Sequence, residues 1–310
     1  MLKSLYSGIS GMKGFQTKLD VIGNNVANVN TVGFKKSRVM FQDILNQNIA
    51  GASAPTAQQG GVNPKQIGLG TTIASIDTIH TPGSPMTTGV GTDLAIDGEA
   101  FFVVSGESPG GGDVPIFLTK AGNFTRDANG DLVNSNGYFV TGVVTDATGV
   151  PKNVRINITE DQVNLDMNGN PQVFSYYSID SNGYINVVRE DGVSGKLAMD
   201  SVGKYYLSTD VNSDENISLA TAVVSNPGGL KKIGNTMFEV TSNADSKTVT
   251  PTRIENNSGG KMISGTLEMS NVDLTEEFTE MIVAQRGFQA NARTITTSDS
   301  ILEEVVNLKR

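Results

Sequence analysis

The sequence predicts a mainly β body with an α-helix at each end, the two helices forming an antiparallel coiled-coil-like pair within an elongated multidomain chain. Three observations predict it. Apolar residues recur at helical spacing only near the two ends. The long middle consists of short strand-like runs divided by turn dipeptides. The charges of the two ends are of opposite sign.

The first element is a helix over residues 1–29. Leu5, Met12, Phe15, Leu19, Ile22, Val26 and Val29 recur at spacings of seven, three and four, the stripe of an amphipathic helix. Residues 50–70, "AGASAPTAQQGGVNPKQIGLG", are small, polar and aperiodic, so the stretch 31–70 reads as an extended connector. From about 70 to 270 the runs "AFFVV", "PIFLT", "GYFVTGVV", "VFSYYSI", "YINVV" and "YYLST" read as strands, and "ANGD", "SNG" and "MNG" supply residues that tolerate positive φ in hairpin turns. The last element is a second helix. Phe278, Met281, Phe288, Ile295 and Leu302 hold one register, and Asp273 followed by Glu276 marks its start as a capping box. The expected organisation is a terminal helical domain (1–30 and 272–310), the connector (31–70), a β-rich body (71–142 and 226–271) and a small β outer module (143–225).

Charge favours antiparallel pairing of the ends. Residues 1–38 carry Lys3, Lys13, Lys18, Lys35, Lys36 and Arg38 against the single acid Asp20, whereas residues 273–280 carry Asp273, Glu276, Glu277 and Glu280 and no cation. The basic end of the first helix then meets the acidic start of the second, and each cluster also complements its own helix dipole.

Composition and spacing exclude several functions. The 310 residues carry a net charge of −9, a field that repels nucleic acid and anionic membranes. No stretch approaches the roughly 20 apolar residues of a membrane span, and "MLKSLYSGISGMKGF" lacks the apolar core and cleavage site of a signal peptide. Cysteine is absent, so there is no disulfide, thiolate metal site or thiol nucleophile. "LDVIGNNVANVNTVGFKK" fails the spacing of a phosphate-binding loop, and "GLGTTI" and "GVGTDL" lack the third glycine of a dinucleotide fingerprint. "DANGD" lacks the late bidentate carboxylate of a calcium loop and reads as a hairpin turn. His80, the one histidine, has no nucleophile at hand in the sequence. No catalytic residue, cofactor or metal site is expected, and the chain is not read as an enzyme.

Four blocks carry a resemblance: "LDVIGNNVANVNTVGFKK" (19–36), "TDLAIDGEAFFVV" (92–104), "KAGNFTRDANGDLVNSNGYFVTG" (120–142) and "LEMSNVDLTEEFTEMIVAQRGFQANARTI" (267–295). Together they resemble the signature blocks of bacterial flagellar axial proteins, in order along nearly the whole chain. The resemblance implies rod and hook subunits, exported uncleaved by the flagellar type III apparatus and assembled into a helical tube. Implied partners are further copies of the chain and other axial components, namely rod, hook cap and hook–filament junction. The ending "DSILEEVVNLKR" and "GGVNPKQIGLG" resemble hook proteins of Gram-positive bacteria, and the short middle resembles the distal rod protein; hook is the preferred expectation. A secreted β-rich adhesin or carbohydrate-binding module stays open as a reading of a different class.

The resemblance gives the odd composition of the helix ends a use. Gly23, Asn24, Asn25, Asn28 and Asn30 read either as a fraying helix C-terminus or as small and amide side chains that allow close approach and bond across subunits in a crowded wall. The expected assembly residues are Leu5, Met12, Leu19, Ile22, Asn24, Asn25, Val26 and Asn28 on the first helix. On the second they are Phe278, Met281, Arg286, Gly287, Phe288, Ile295 and Leu302. Phe288 is expected to anchor the helix pair, Gly287 to admit a neighbouring subunit, and Arg286 to reach a polar group on it.

Overall fold

The computed structural model describes the chain except for residues 1, 57–59, 107–114, 146–150, 165–170, 201, 211–212, 246–248, 257–258 and 309–310. The expected turn "MNG" at 167–169 lies outside the described residues. The chain divides into two compact units. The terminal unit holds Met1–Val29, Lys36–Ile79 and Val272–Arg310, and the central unit holds Asn30–Lys35 and His80–Asn271.

In the terminal unit, helix α1 (Leu2–Ala27) and helix α2 (Leu274–Asn307) match the two helical stripes. Asp273 caps α2: its side chain accepts from the amides of Thr275 and Glu276, at 2.7 and 3.4 Å, satisfying two donors that the first turn leaves without helical partners. The Glu276 carboxylate turns instead to Lys36 Nζ, 2.7 Å away. Between the helices in sequence come β1 (Ser37–Asp43), β2 (Asn46–Ala50), β3 (Lys65–Gly68) and β4 (Thr71–Thr78). Strands β1 and β4 pair antiparallel, with a bulge at Met40/Phe41. The stretch read as an extended connector therefore contains three strands, β1, β2 and β3. β2 and β3 form a hairpin, continued by a bridge between Ser53 and Val62. All nine residues of these two strands are exposed, so no buried face imposes the alternation by which a strand is read.

The central unit is antiparallel throughout. Its principal strands are β5 (Pro85–Thr87), β6 (Leu94–Asp97), β7 (Phe101–Ser105), β8 (Ile116–Thr119), β9 (Phe124–Arg126), β10 (Leu132–Asn134), β11 (Phe139–Thr145) and β12 (Pro151–Arg155). There follow β13 (Glu160–Asp161), β14 (Gln172–Ile179), β15 (Ile185–Arg189), β16 (Ser194–Met199), β17 (Tyr205–Ser208), β18 (Ser218–Leu219) and β19 (Thr221–Ala222). The last four are β20 (Lys231–Gly234), β21 (Met237–Glu239), β22 (Lys261–Ser264) and β23 (Thr266–Glu268). A ten-stranded sheet runs β20-β21-β8-β7-β11-β10-β9, with β12 and β18 also on β11 and β19 on β7. A five-stranded sheet runs β13 to β17 in order.

The run "FFVV" explains how the large sheet is held. All five residues of β7 are buried; Phe102 and Val104 enter one hydrophobic cluster while Phe101 and Val103 enter the other, so the pleat drives alternate side chains into cores on opposite faces. The first cluster also takes Phe174, Ile185, Leu197 and Leu207 from the five-stranded sheet. A core shared in this way corrects the separate outer module expected over 143–225, whose strands stay in the central unit. The expected domain boundary near residue 71 likewise moves to Ile79/His80, because β4 pairs with β1. Turn chemistry follows the sequence: Gly130, Gly137 and Gly183 take φ of +84°, +80° and +79°. In "DANGD" the Asp127 carboxylate accepts from the amides of Asn129 and Asp131, each at 2.9 Å, and Asp131 pairs with Arg155, which makes the segment a turn.

Candidate assembly surface and a buried charge cluster

In the terminal unit α1 and α2 lie side by side and antiparallel, and the contacts along them run in strict order. A Cβ placed on Gly8 would lie 3.2 Å from Ile295 Cγ1, and one on Gly11 3.0 Å from Asn291 Nδ2. One on Gly287 would lie 2.6 Å from Phe15 Cζ. Farther along, Lys18 pairs with Glu280, and Asn25 Nδ2 donates to Glu277 Oε2 at 3.2 Å. On α1 the contact positions 8, 11, 15, 18 and 25 are separated by steps of three, four, three and seven, with buried Ile22 falling between the last two, a spacing that keeps one face on the partner. Glycine rather than a large apolar residue stands at several of them, and the backbones approach closely there.

The expected site residues divide accordingly. Ile22 and Asn25 are buried, and Leu5, Met12, Leu19 and Val26, one heptad apart, are half-buried, the last three adjacent to contact positions 11, 18 and 25. Met281, Ile295 and Leu302 lie half-buried on the inner face of α2 with Ala284, which is fully buried. Phe278 is 49% exposed and Phe288 37% exposed, so neither anchors the pair; one position away, Glu277 and Gly287 take the inward places. Gly287 faces the Phe15 ring of its own chain. Arg286 is exposed. Gly23 meets nothing within 4 Å, so close approach belongs to Gly8, Gly11 and Gly287 instead.

The asparagines act within the chain. Asn25 forms a two-way bond with Ser37, accepting from its amide at 3.0 Å and donating to its carbonyl at 2.9 Å. Asn28 Nδ2 folds back onto the carbonyl and side-chain oxygens of Asn24, at 2.9 and 3.1 Å, closing the helix end. Burial raises the Glu277 pKa, opposed by the Asn25 hydrogen bond.

The terminal unit keeps little apolar surface for itself. Among its described residues only Ile22, Val39 and Ala284 are buried apolar side chains. Tyr6 and Ile9 on α1, Phe278, Ile282, Val283, Ile301 and Val305 on α2, and Leu45, Ile49 and Ile67 on or beside the hairpin are all exposed. Monomeric surfaces seldom leave so much apolar area in one unit uncovered.

The central unit holds a cluster that sequence reading missed. Lys35, fully buried, donates to Glu268 Oε1 at 2.5 Å and to the Thr81 carbonyl at 2.7 Å. The same carboxylate oxygen accepts from the Gly83 amide at 3.0 Å, and Glu268 Oε2 lies 3.9 Å from Lys120 Nζ. Lys120 donates to the Gly98 carbonyl at 2.7 Å. Burial pulls its pKa down to about 8, against the pull of Glu268. Beside them His80 packs on Phe101 and Phe238, and burial together with Lys35, Lys232 and Lys120 pulls its pKa down to about 4. Lys35 was counted in the basic end of the first helix; the ion pairs that do bridge the ends are those of Lys18 and Lys36.

Three family models match the chain. The flagella basal body rod protein model matches residues 5–35, the D1 domain model of flagellar hook protein FlgE/F/G matches 95–187, and the C-terminal model of flagellar basal body rod FlgEFG protein matches 263–308. The flagellar basal-body rod protein FlgG of Bacillus subtilis is 46% identical over 315 residues, covering all of both chains. The flagellar hook protein FlgE of Borreliella burgdorferi is 32% identical over 450 aligned positions, again covering all of both, and the FlgG rod protein of the same organism is 31% identical over 316. These matches displace the adhesin or carbohydrate-binding reading, and none of the matched families is catalytic. With all four signature blocks inside full-length alignments to rod and hook proteins, the chain belongs to the flagellar rod and hook family of axial structural proteins.

Proposed function

We propose that the chain is a subunit of the flagellar rod, polymerising with further copies and with other axial components into a helical tube. The observation that carries this reading is the terminal unit, which orders two long helices and a hairpin yet, among its described residues, buries three apolar side chains. Helices in proteins gain most of their stability from packing of an apolar face, and a second copy supplies that packing. In this reading the α1–α2 pair is a coiled-coil-like module with glycine at its close contacts. The exposed Phe278, Arg286 and Phe288 then meet a neighbouring copy. Export by the flagellar type III apparatus belongs to the same reading.

The rod is preferred to the hook expected from the chain ending. The match to a rod protein is both closer and nearly free of length difference, whereas alignment to the hook protein stretches 310 residues over 450 positions. Complementation separates the two. The chain should restore motility and hook growth in Bacillus subtilis lacking its own rod protein and should fail in a strain lacking the hook protein; the reverse pattern would return it to the hook. Purified chain should form polymer, and chain lacking residues 1–30 and 275–310 should not.

A further inference from the structure

A cavity of about 290 Å³ opens within the central unit, where chain passes at 31–32, 119–123, 134–136 and 235–236 converge. Eight of its ten described lining residues carry a hydroxyl or a side-chain amide, and none of the ten is charged. The two apolar ones, Val32 and Ala121, are small. The volume stands at the lower end of small-ligand pockets, which orient their occupant through a few placed polar groups.

The walls are set before any ligand arrives. Asn134 Oδ1 accepts from the amides of Asn136 and Tyr138, at 3.0 and 2.9 Å, and so fixes the "SNG" turn. Asn123 Nδ2 donates to Ser135 Oγ at 2.5 Å, and Thr119 Oγ1 donates to the Thr236 carbonyl at 3.0 Å. Among the described residues the side-chain amides of Asn136 and Asn235 have no partner.

One wall is also strained. Asn235 and Thr236 join β20 to β21 with φ of +53° and +58°, the only non-glycine residues at positive φ among those described. A two-residue hairpin turn of this kind favours Asn at its first position and Gly at its second. Thr236 stands where Gly would be relaxed, and its branched side chain fits that backbone poorly. What Thr adds there is a hydroxyl on the cavity wall, which donates to the Asn235 carbonyl at 2.6 Å and keeps its oxygen as an acceptor. Backbone strain retained in this way is a mark of functional sites.

We propose that this cavity binds a neutral sugar ring bearing an acetamido group. Hydroxyls and amides offer donors and acceptors together, which match a polyol and an acetamido group, whereas an ion would find no counter-charge. The strands that reach the cavity, β8 and β10, are paired on both sides, so they present no open edge to an extended peptide. The site is an addition to the axial structural role and does not rest on the rod reading.

The test titrates full-length chain with methyl N-acetyl-β-glucosaminide, methyl β-glucoside and the peptide acetyl-Gly-Gly-amide, followed by calorimetry and saturation-transfer NMR. The acetamido sugar should bind saturably and more tightly than the other two. Thr236→Gly relaxes the turn, so it should keep or raise the thermal midpoint while weakening sugar binding. Asn136→Ala/Thr236→Gly should weaken binding about tenfold, the loss expected of two uncharged hydrogen bonds. Opposite movement of stability and affinity at one residue separates a binding role from a purely structural one. Parent chain without saturable binding of the acetamido sugar would overturn the site, as would a double variant that binds it like the parent. The glucoside or the peptide binding equally well would overturn the acetamido sugar as its occupant, and a lowered midpoint for Thr236→Gly would show that Thr236 is kept for the turn itself.

Discussion

Replacing Gly287 by Ala sets two effects of known sign against each other. A glycine in the middle of a 34-residue helix costs about 1 kcal/mol relative to Ala, so an exposed site would gain that amount. Here the added methyl would stand 2.6, 2.8 and 2.9 Å from Phe15 Cζ, Cε1 and Cε2. Ordinary carbon contacts lie at about 3.5–4.0 Å, so the ring must retreat by about 1 Å. Behind it stands Phe41, with ring centroids 5.9 Å apart. Overpacking of this kind costs about 1–3 kcal/mol, which leaves Gly287→Ala destabilised by up to about 2 kcal/mol despite its better helix propensity. Phe15→Leu removes the far end of the ring, so Phe15→Leu/Gly287→Ala should recover the propensity gain, with a favourable coupling of about 1–2 kcal/mol. Urea unfolding of the full chain, followed by helical ellipticity, measures all four corners of the cycle. If Gly287→Ala alone raised the midpoint and showed no coupling to Phe15, the two residues would not face each other and the inner face of α2 would have to be reassigned.

The other predictions concern single groups and the whole charge distribution. Asn25→Ala removes both bonds to Ser37 and one to the Glu277 carboxylate, so the terminal unit should lose about 3 kcal/mol in the same unfolding assay; a loss below about 0.5 kcal/mol would mean that the buried amide is dispensable. His80, held at about 4 against an ordinary 6.5, favours the unfolded state as a proton acceptor, so its stability contribution is complete above pH 6.5 and is lost as the pH falls through 4. Partial solvent screening reduces that loss to about 2 kcal/mol; His80→Phe should flatten the fall relative to the parent over that window, and identical slopes would contradict it. The terminal unit carries ten Lys and Arg and ten Asp and Glu, whereas the central unit carries thirteen and twenty-two and hence all of the net charge of −9. Polymerisation should therefore improve as ionic strength rises from about 10 mM to about 150 mM and the screening length shortens from about 30 to about 8 Å; suppression by salt in light scattering would show that attraction between oppositely charged groups dominates instead.

What could be read from the sequence follows from where burial leaves a trace. "FFVV", "PIFLT" and "YINVV" became β7, β8 and β15 because their side chains have cores to enter, and "ANGD" and "SNG" became turns because their glycines must adopt positive φ. The helices were legible from Leu5, Met12, Leu19 and Val26, yet the last three stand one position away from the contacts themselves. The actual line of approach, Gly8, Gly11, Phe15 and Asn25 against Ile295, Asn291, Gly287 and Glu277, is written largely in glycines and amides, which no apolar template scores. The spacing of Gly8, Gly11 and Gly14 in "SGISGMKGF" was the signal available for it. The hairpin of β2 and β3 escaped for the complementary reason, since with every residue exposed nothing in the single chain enforces a period of two. The Lys35–Glu268 pair could not have been found by spacing at all: its members stand 233 positions apart, and each resembles an ordinary surface charge until the fold buries them together. In each unit the features that escaped are the ones whose partners are distant, small or outside the chain. For a chain whose terminal unit leaves its apolar faces open, the last of these is the informative case: Phe278, Ile282 and Val305 look misplaced in the single chain, and in the rod reading proposed above they are the residues a neighbouring copy would cover.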